Sequence, residues 1–172
     1  MSRIQPLDLE KKYDVSFVLS GPEPQRTRLE KIILNQAKDL KYKMMLVQGK
    51  PELDEEQAIN ENLHIKSYMS GEELSSLMTS SELIVCRSGY STIMDLVVLG
   101  KKALLIPTPG QTEQEFLADY YKEQGLAHFV TQAKLDLKND IVQALEVKGF
   151  GIFDGSSNNL DKALEGFLEK IS

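Results

Sequence analysis

Apolar residues recur along the whole 172-residue chain in short runs, and these runs alternate with segments of helical periodicity. Six runs end at glycine, proline or polar residues and predict strands over 15–20, 44–48, 63–67, 83–86, 102–107 and 127–131. Apolar positions three and four apart predict helices over 29–40, 71–79, 93–99, 112–124, 135–147 and 160–171. A short polar segment, 54–60, is also predicted to be helical.

Strands that alternate with helices at this spacing are typical of βαβ units, which build a parallel sheet. The runs 83–86 and 102–107 are continuously apolar, as expected for strands that helices cover on both faces. The pattern therefore predicts an α/β fold, a Rossmann-like doubly wound parallel sheet, formed by residues 14–172. Residues 1–13 are polar, contain no predicted strand and are interpreted as a linker or tail.

The composition narrows the classes of protein to which this domain can belong. The formal net charge is −6 without a block of consecutive Lys or Arg, which disfavours a nucleic-acid partner. No apolar stretch approaches the ~20 residues of a membrane span, and residues 1–12 hold no apolar signal-peptide core. The single cysteine, Cys86, fits a reducing compartment. His64 and His128 are too isolated to suggest a metal site, so we expect a cytoplasmic domain without a metal.

Three turns after predicted strands are rich in glycine and hydroxyl residues. They are Ser20-Gly21-Pro22, the segment 87–92 (RSGYST) and the segment 107–112 (PTPGQT). Ligands of open parallel sheets bind where the carboxyl ends of the strands meet helix N-termini. Gly21, Gly89 and Gly110 would let the backbone approach such a ligand, and free N–H groups at helix starts suit phosphate oxygens. The alternative is that Gly, Ser and Thr are simply the ordinary residues of such turns.

The residues around the last two turns carry a resemblance to a known family. They are Val85-Cys86-Arg87-Ser88-Gly89, then Thr92, Asp95 and Gly100, followed by Pro107, Gln114-Glu115, Ala118 and Gly125-Leu126-Ala127. This combination is similar to the C-terminal domain of glycosyltransferase family 28, and in particular to its lipid II-forming N-acetylglucosaminyltransferases. The resemblance covers most of residues 14–147, and 85–127 is its specific part. It implies one half of a two-domain (GT-B) enzyme that binds a UDP-sugar.

The resemblance implies roles for three side chains at helix starts. Asp95 lies where the family has a glutamate that binds the ribose hydroxyls, although an acid there also simply favours its helix. Gln114 matches the first of two family glutamines that bind the donor sugar. Glu115 replaces the second glutamine and can accept hydrogen bonds but not donate them. The alternative for this pair is a solvated helix face, which suits Glu115 better than Gln114.

The same resemblance places the diphosphate and the base. The residues expected against the diphosphate are Ser88, Gly89, Ser91 and Thr92, and the Gly21 turn corresponds to the family's first glycine-rich loop. Arg87 could add charge there, or it could hold the turn in place by bonding carbonyl groups. Tyr68 and Met69 follow the third predicted strand, where the family receives the uracil, although Tyr68 could equally serve ordinary packing.

The resemblance implies that this chain binds the donor, with an N-acetylhexosamine as the expected sugar. A missing N-terminal half would supply the acceptor, the catalytic base and any peripheral association with a membrane. This chain alone is then an inactive part of a hexosyltransferase, without a cofactor. The alternatives are a stand-alone donor-binding subunit of a two-chain glycosyltransferase, a nucleotide-sugar hydrolase or epimerase, and a binding domain for another ligand. A hydrolase needs a general base, for which the matched loops offer only Asp95 and Glu115.

Overall fold

The computed structural model describes residues 10–151, which form a seven-stranded sheet flanked by helices. The strands are β1 (Tyr13–Val18), β2 (Met44–Val47), β3 (Glu56–Ala58), β4 (Leu63–Lys66), β5 (Ser81–Cys86), β6 (Lys102–Leu105) and β7 (His128–Phe129). The helices are α1 (Gln25–Ala37), α2 (Gly71–Thr79), α3 (Tyr90–Leu99), α4 (Thr112–Glu123) and α5 (Leu137–Glu146), and a 3-10 turn spans Gln132–Lys134.

The strands lie in the order β3-β4-β2-β1-β5-β6-β7, and every neighbouring pair is parallel except β3 and β4. From β1 the chain builds outward through β2 to β4. It then crosses to β5 on the other side of β1 and continues to β7. The direction of winding therefore reverses between β1 and β5. This arrangement confirms the predicted doubly wound α/β fold and adds one antiparallel strand at an edge.

Helices cover both faces of the sheet, and the alternation of side chains along each strand decides which layer a residue enters. On one face, Phe17 of β1 packs with Ile33 of α1 and Ile141 of α5. On the other face, Cys86 of β5 packs with Ile93 of α3. Because both layers exclude water, the central strands are apolar at consecutive positions rather than at alternate ones.

The single cysteine and the two histidines lie in separate parts of the sheet. Cys86 is buried at the end of β5, where burial raises the pKa of its thiol to about 12 and keeps the thiol protonated. His64 lies on β4 and His128 on β7. Within residues 10–151, no group of three or more His, Cys, Asp or Glu side chains could hold a metal ion. No helix in the same part of the chain is long and apolar enough to cross a bilayer.

The predicted helix over 54–60 is wrong, because Glu56–Ala58 forms the antiparallel strand β3. The side chain of Asn60 explains the difference. Its Oδ1 accepts hydrogen bonds from the backbone N–H groups of Asn62 at 2.9 Å and Leu63 at 2.8 Å. This contact closes a tight turn between β3 and β4 and folds the segment back as a hairpin. Local turn chemistry therefore outweighs the helical propensity of the preceding residues.

Two of the sequence predictions concern the ends of the chain. The predicted helix over 160–171 and residues 1–9 of the predicted tail lie outside the described residues. Residues 10–12 have no regular secondary structure, and β1 begins at Tyr13, two residues before the predicted run.

Gly49, which follows β2, makes the closest backbone approach at this end of the sheet. Its φ is +70°, and a Cβ atom built on it would lie 2.4 Å from the carbonyl oxygen of Leu19. The Gly49 carbonyl accepts a hydrogen bond from the Arg26 guanidinium in α1. A glycine at this position therefore lets the segments that follow β1 and β2 pack together and ties them to the start of α1.

We expect Gly49→Ala to lower the free energy of unfolding by roughly 2–4 kcal/mol, since the new methyl group meets backbone and the φ angle is unfavourable. Urea denaturation of the variant measures this loss. Gly71→Ala is the matched control, because a Cβ atom there meets nothing within 4 Å. Equal stability of the two variants would contradict the close approach at Gly49.

Candidate functional site

The loops that carry the predicted site residues all lie at one edge of the sheet. Strands β4, β1, β5 and β6 are parallel, so the segments that follow them leave the sheet at its carboxyl edge. Tyr68 and Met69 follow β4, the Gly21 turn follows β1, the 87–92 turn follows β5 and the 107–115 segment follows β6. The fold therefore places all of these residues along the edge where ligands of such sheets bind.

Sheets of this class have a ligand crevice where the winding reverses, which is here between β1 and β5. A glycine turn follows each of these two strands, and we call the space between the two turns the crevice. Gly21 follows β1 with a φ of +99°, and a Cβ atom built on it would lie 3.5 Å from Thr108 Oγ1. Gly89 follows β5, where a Cβ atom would meet nothing within 4 Å. The Gly21 turn thus contacts the loop after β6, while the Gly89 side of the crevice is open.

Three helices at this edge, α1, α3 and α4, begin without a hydrogen bond to the side chain of their N-cap residue. At α1, however, the nearby Glu23 carboxylate accepts a hydrogen bond from Thr27 N at 3.2 Å. The N-cap residues of α3 and α4 are Gly89 and Gln111, and neither side chain accepts a hydrogen bond from the helix, whereas side chains cap α2 and α5. The first turn of α4 contains Glu113 and Glu115, but the first turn of α3 contains no acid. The start of α3 is therefore the better position for an anion, because free N–H groups and the helix dipole both favour it.

Arg87 lies beneath these turns with only 2% of its surface exposed. Its Nη1 donates to the carbonyl oxygens of Ile106 and Pro107, both at 3.0 Å. Its Nη2 donates to the carbonyl oxygen of Gln25 at 3.1 Å and to Gln132 Oε1 at 2.7 Å. We call Arg87 and these four partners the Arg87 network. It joins the end of β5 to the loop after β6, the start of α1 and the 3-10 turn, so Arg87 does bond carbonyl groups.

Ser88 and Gln114 connect the turn after β5 to the start of α4. Ser88 is fully buried, and its Oγ donates to the carbonyl oxygen of Gln114 at 2.6 Å. The Gln114 side chain accepts a hydrogen bond from Thr108 N at 2.9 Å and donates one to the Gln111 side chain. Both Gln114 contacts shape the loop after β6, so a sugar hydroxyl would compete with them for the same amide.

Glu115 lies in the first turn of α4, whereas Asp95 lies one turn further along its helix, α3. Glu115 is exposed, and its Oε1 accepts a hydrogen bond from Gly110 N at 3.2 Å. This contact stabilises the left-handed conformation of Gly110, whose φ is +82°. Asp95 is half-buried in the second turn of α3 and near enough to Cys86 to raise the pKa of its thiol.

Tyr68 and Met69 lie at some distance from the crevice. Their strand, β4, is separated from β5 by β2 and β1, so three inter-strand spacings of about 4.8 Å amount to about 14 Å. Tyr68 is 45% exposed, whereas Met69 packs partly against the small core cluster around Leu77. The residues predicted to bind the base and those predicted to bind the diphosphate therefore lie far enough apart for an extended ligand that spans the edge of the sheet.

Four residues that determine the geometry of this edge have no individual role in the sequence analysis: Gln25, Gly49, Thr108 and Gln132. Gly49 follows a predicted strand and precedes Lys50-Pro51, so its position in a turn was detectable from the sequence. Gln132 follows a two-residue strand and lies 45 residues from Arg87, with no pattern that connects the two. Only the tertiary structure brings that pair together.

An open parallel sheet with glycine turns and an uncapped helix start at its winding reversal defines a Rossmann-like nucleotide-binding class of domain. Solved structures share this fold. The structural match with MurG from Acinetobacter baumannii covers 94% of this chain and 51% of MurG, with a TM-score of 0.61 and 13% identity. The match with ALG13 covers 90% of this chain and 95% of ALG13, with a TM-score of 0.57 and 12% identity. The fold is one half of the GT-B architecture, as predicted.

The family itself follows from the sequence comparison. Residues 17–149 match the model of the glycosyltransferase family 28 C-terminal domain, and the chain belongs to this family. A relative from Sulfurihydrogenibium sp. (strain YO3AOP1) is 26% identical over 168 residues, which cover 88% of this chain and 46% of the relative. It is a UDP-N-acetylglucosamine--N-acetylmuramyl-(pentapeptide) pyrophosphoryl-undecaprenol N-acetylglucosamine transferase. The chain thus spans about half the length of this relative.

We expect Ser88→Ala to lower the free energy of unfolding by about 1–2 kcal/mol, since the hydrogen bond from the buried Ser88 hydroxyl to the Gln114 carbonyl oxygen is lost. Chemical denaturation measures the change. Ser91→Ala is the matched control: Ser91 is exposed on the next turn, so its loss should stay within about 0.5 kcal/mol. A Ser88→Ala variant as stable as the wild type would contradict the connection between β5 and α4.

Proposed function

We propose that this chain is the donor-binding domain of a glycosyltransferase and that it holds a UDP-sugar across the carboxyl edge of its sheet. The observation that carries the proposal is the uncapped, acid-free start of α3 at the β1–β5 crevice. Its N–H groups, together with Ser91 and Thr92, would bind the diphosphate. Membership of the family supports a nucleotide sugar over other anionic ligands.

The remaining predicted residues fit along the donor in a consistent order. Asp95, in the second turn of α3, would accept hydrogen bonds from the ribose hydroxyls, since a carboxylate suits a vicinal diol. Tyr68 and Met69, further along the edge, would contact the base. On the other side, Gln114 and Glu115 would contact the sugar, and because Glu115 only accepts, it would favour a sugar hydroxyl that donates.

The contribution of this domain to the reaction would be electrostatic. When the bond between sugar and phosphate breaks, negative charge develops on the diphosphate. Donors that already point at this group stabilise the charge without reorganising during the reaction. The start of α3 can supply such donors, because its N–H groups are held by the helix rather than by flexible side chains.

We infer that the acceptor site and the catalytic base belong to a further domain or subunit. The chain spans 46% of the Sulfurihydrogenibium relative, so a partner of about equal size would complete the enzyme. The activity of that relative suggests N-acetylglucosamine as the sugar and a lipid-linked acceptor. The match with ALG13 covers 95% of that protein, so the same fold also occurs in a chain without a second domain of this size, and a stand-alone donor subunit is the second candidate.

The first experiment is a calorimetric titration of the 172-residue chain with UDP, UDP-N-acetylglucosamine, GDP and NAD. Preferential binding of the two uridine compounds is the expected result. Equal affinity for NAD would contradict the proposal, and turnover of UDP-N-acetylglucosamine by this chain alone would favour a hydrolase or epimerase instead.

We expect Asp95→Ala to weaken UDP binding by about 1–3 kcal/mol, because the ribose hydroxyls would lose a charged acceptor. Calorimetry measures the affinity, and a thermal melt confirms that the variant is folded. Glu82→Ala is the control, since Glu82 is an exposed acid near the opposite end of β5. Unchanged UDP affinity in folded Asp95→Ala would remove the ribose role.

A further inference from the structure

The Arg87 network holds a buried cation on uncharged acceptors. Three of the four acceptors are backbone carbonyl oxygens and the fourth is the amide oxygen of Gln132. Arg87 forms no salt bridge within residues 10–151, and its Nε finds no hydrogen-bond acceptor in that part of the chain. Burying a cation without an anion is costly, so this arrangement calls for a physical reason.

The guanidinium keeps its charge in this position. Burial lowers the pKa of Arg87 to about 10, which still lies well above neutral pH. Gln132 is only 7% exposed, and its Nε2 donates to Gln25 Oε1 at 3.2 Å. This second hydrogen bond orients the amide so that its oxygen faces Arg87. A glutamate would fit almost the same space and would neutralise the cation, but the chain has glutamine.

The buried charge lies directly behind the turns of the crevice. Its acceptors belong to the loop after β6 and to the start of α1, which the Gly21 turn immediately precedes. Thr108, next to Pro107, is buried beside Gly21. Because Arg87 is buried, its field is screened less than that of a charge on the surface.

We propose that Arg87 attracts the donor diphosphate from behind the turns that it positions, without touching it, and that Gln132 is the residue that leaves this charge unneutralised. The bound diphosphate would then supply the counter-charge that residues 10–151 do not provide. This inference rests on the proposed function, since it names the diphosphate as the ligand group. It assigns Arg87 and Gln132 as positioning residues rather than as ligands of the donor.

The test compares Gln132→Glu with Gln132→Met by calorimetric titration with UDP. Both variants change the Gln132 side chain, but only glutamate neutralises Arg87, because the neighbouring cation keeps its carboxyl group ionised. We expect Gln132→Glu to bind UDP roughly tenfold more weakly than Gln132→Met. The reason is that the glutamate cancels the attraction between the Arg87 charge and the diphosphate, which acts across buried protein. The difference should be smaller for UMP, which carries only one phosphate.

Stability separates this effect from simple unfolding. In urea denaturation Gln132→Glu should be at least as stable as Gln132→Met, since it gains an ion pair with Arg87. Weaker UDP binding by the more stable variant is a result that a purely structural role cannot produce. Equal UDP affinity of the two folded variants would overturn the inference.

A second pair covers the case in which a Gln132 variant does not fold. Arg87→Lys keeps the charge and Arg87→Met removes it, while both lose the planar fork of the network. The lysine variant should bind UDP more tightly than the methionine variant, and equal affinities would again overturn the inference. A wild-type chain that binds no UDP would instead contradict the proposed function. Wild-type binding with equal variants would contradict only the role of Arg87.

Discussion

The parallel pairing of β1 with β5 is the contact on which the rest of the structure depends. Val15 lies opposite Leu83, and Val18 lies opposite Cys86, so the two strands end level with each other. Their helices, α1 and α3, then leave the same edge toward opposite faces of the sheet. This divergence defines the crevice, and no other neighbouring pair of parallel strands in the described sheet reverses the winding.

The loops at this edge carry residues that serve the fold and the proposed site together. Loops that lie over a buried sheet must pair their polar backbone groups, and here Arg87, Ser88 and Gln114 pair many of them. Residues of this kind can be typical of a family because they shape its binding site, even though their side chains bond to protein groups rather than to a ligand. The N–H groups at the start of α3 have no side-chain cap because Gly89 offers no side chain, and the proposed diphosphate would bind there.

The proposed function divides the chemistry of transfer between two bodies. This domain would stabilise the leaving diphosphate, which requires fixed dipoles and charge but no proton transfer. Activation of the acceptor needs a general base close to the attacking hydroxyl, and the proposal places that base on the other half of the enzyme. The donor site can therefore be built entirely from the segments that follow parallel strands, without a titrating side chain at the reacting atom.

The sequence by itself determined six strands, five of the described helices, the doubly wound fold and the family, since periodicity and short motifs are local properties of the chain. It failed over 54–60, where the Asn60 side chain selects a hairpin over a helix. Only the tertiary structure decided that Arg87 faces carbonyl groups and Gln132. Partners so distant in sequence leave no periodic trace, because the folding of β5 and β7 into one sheet is what brings them together.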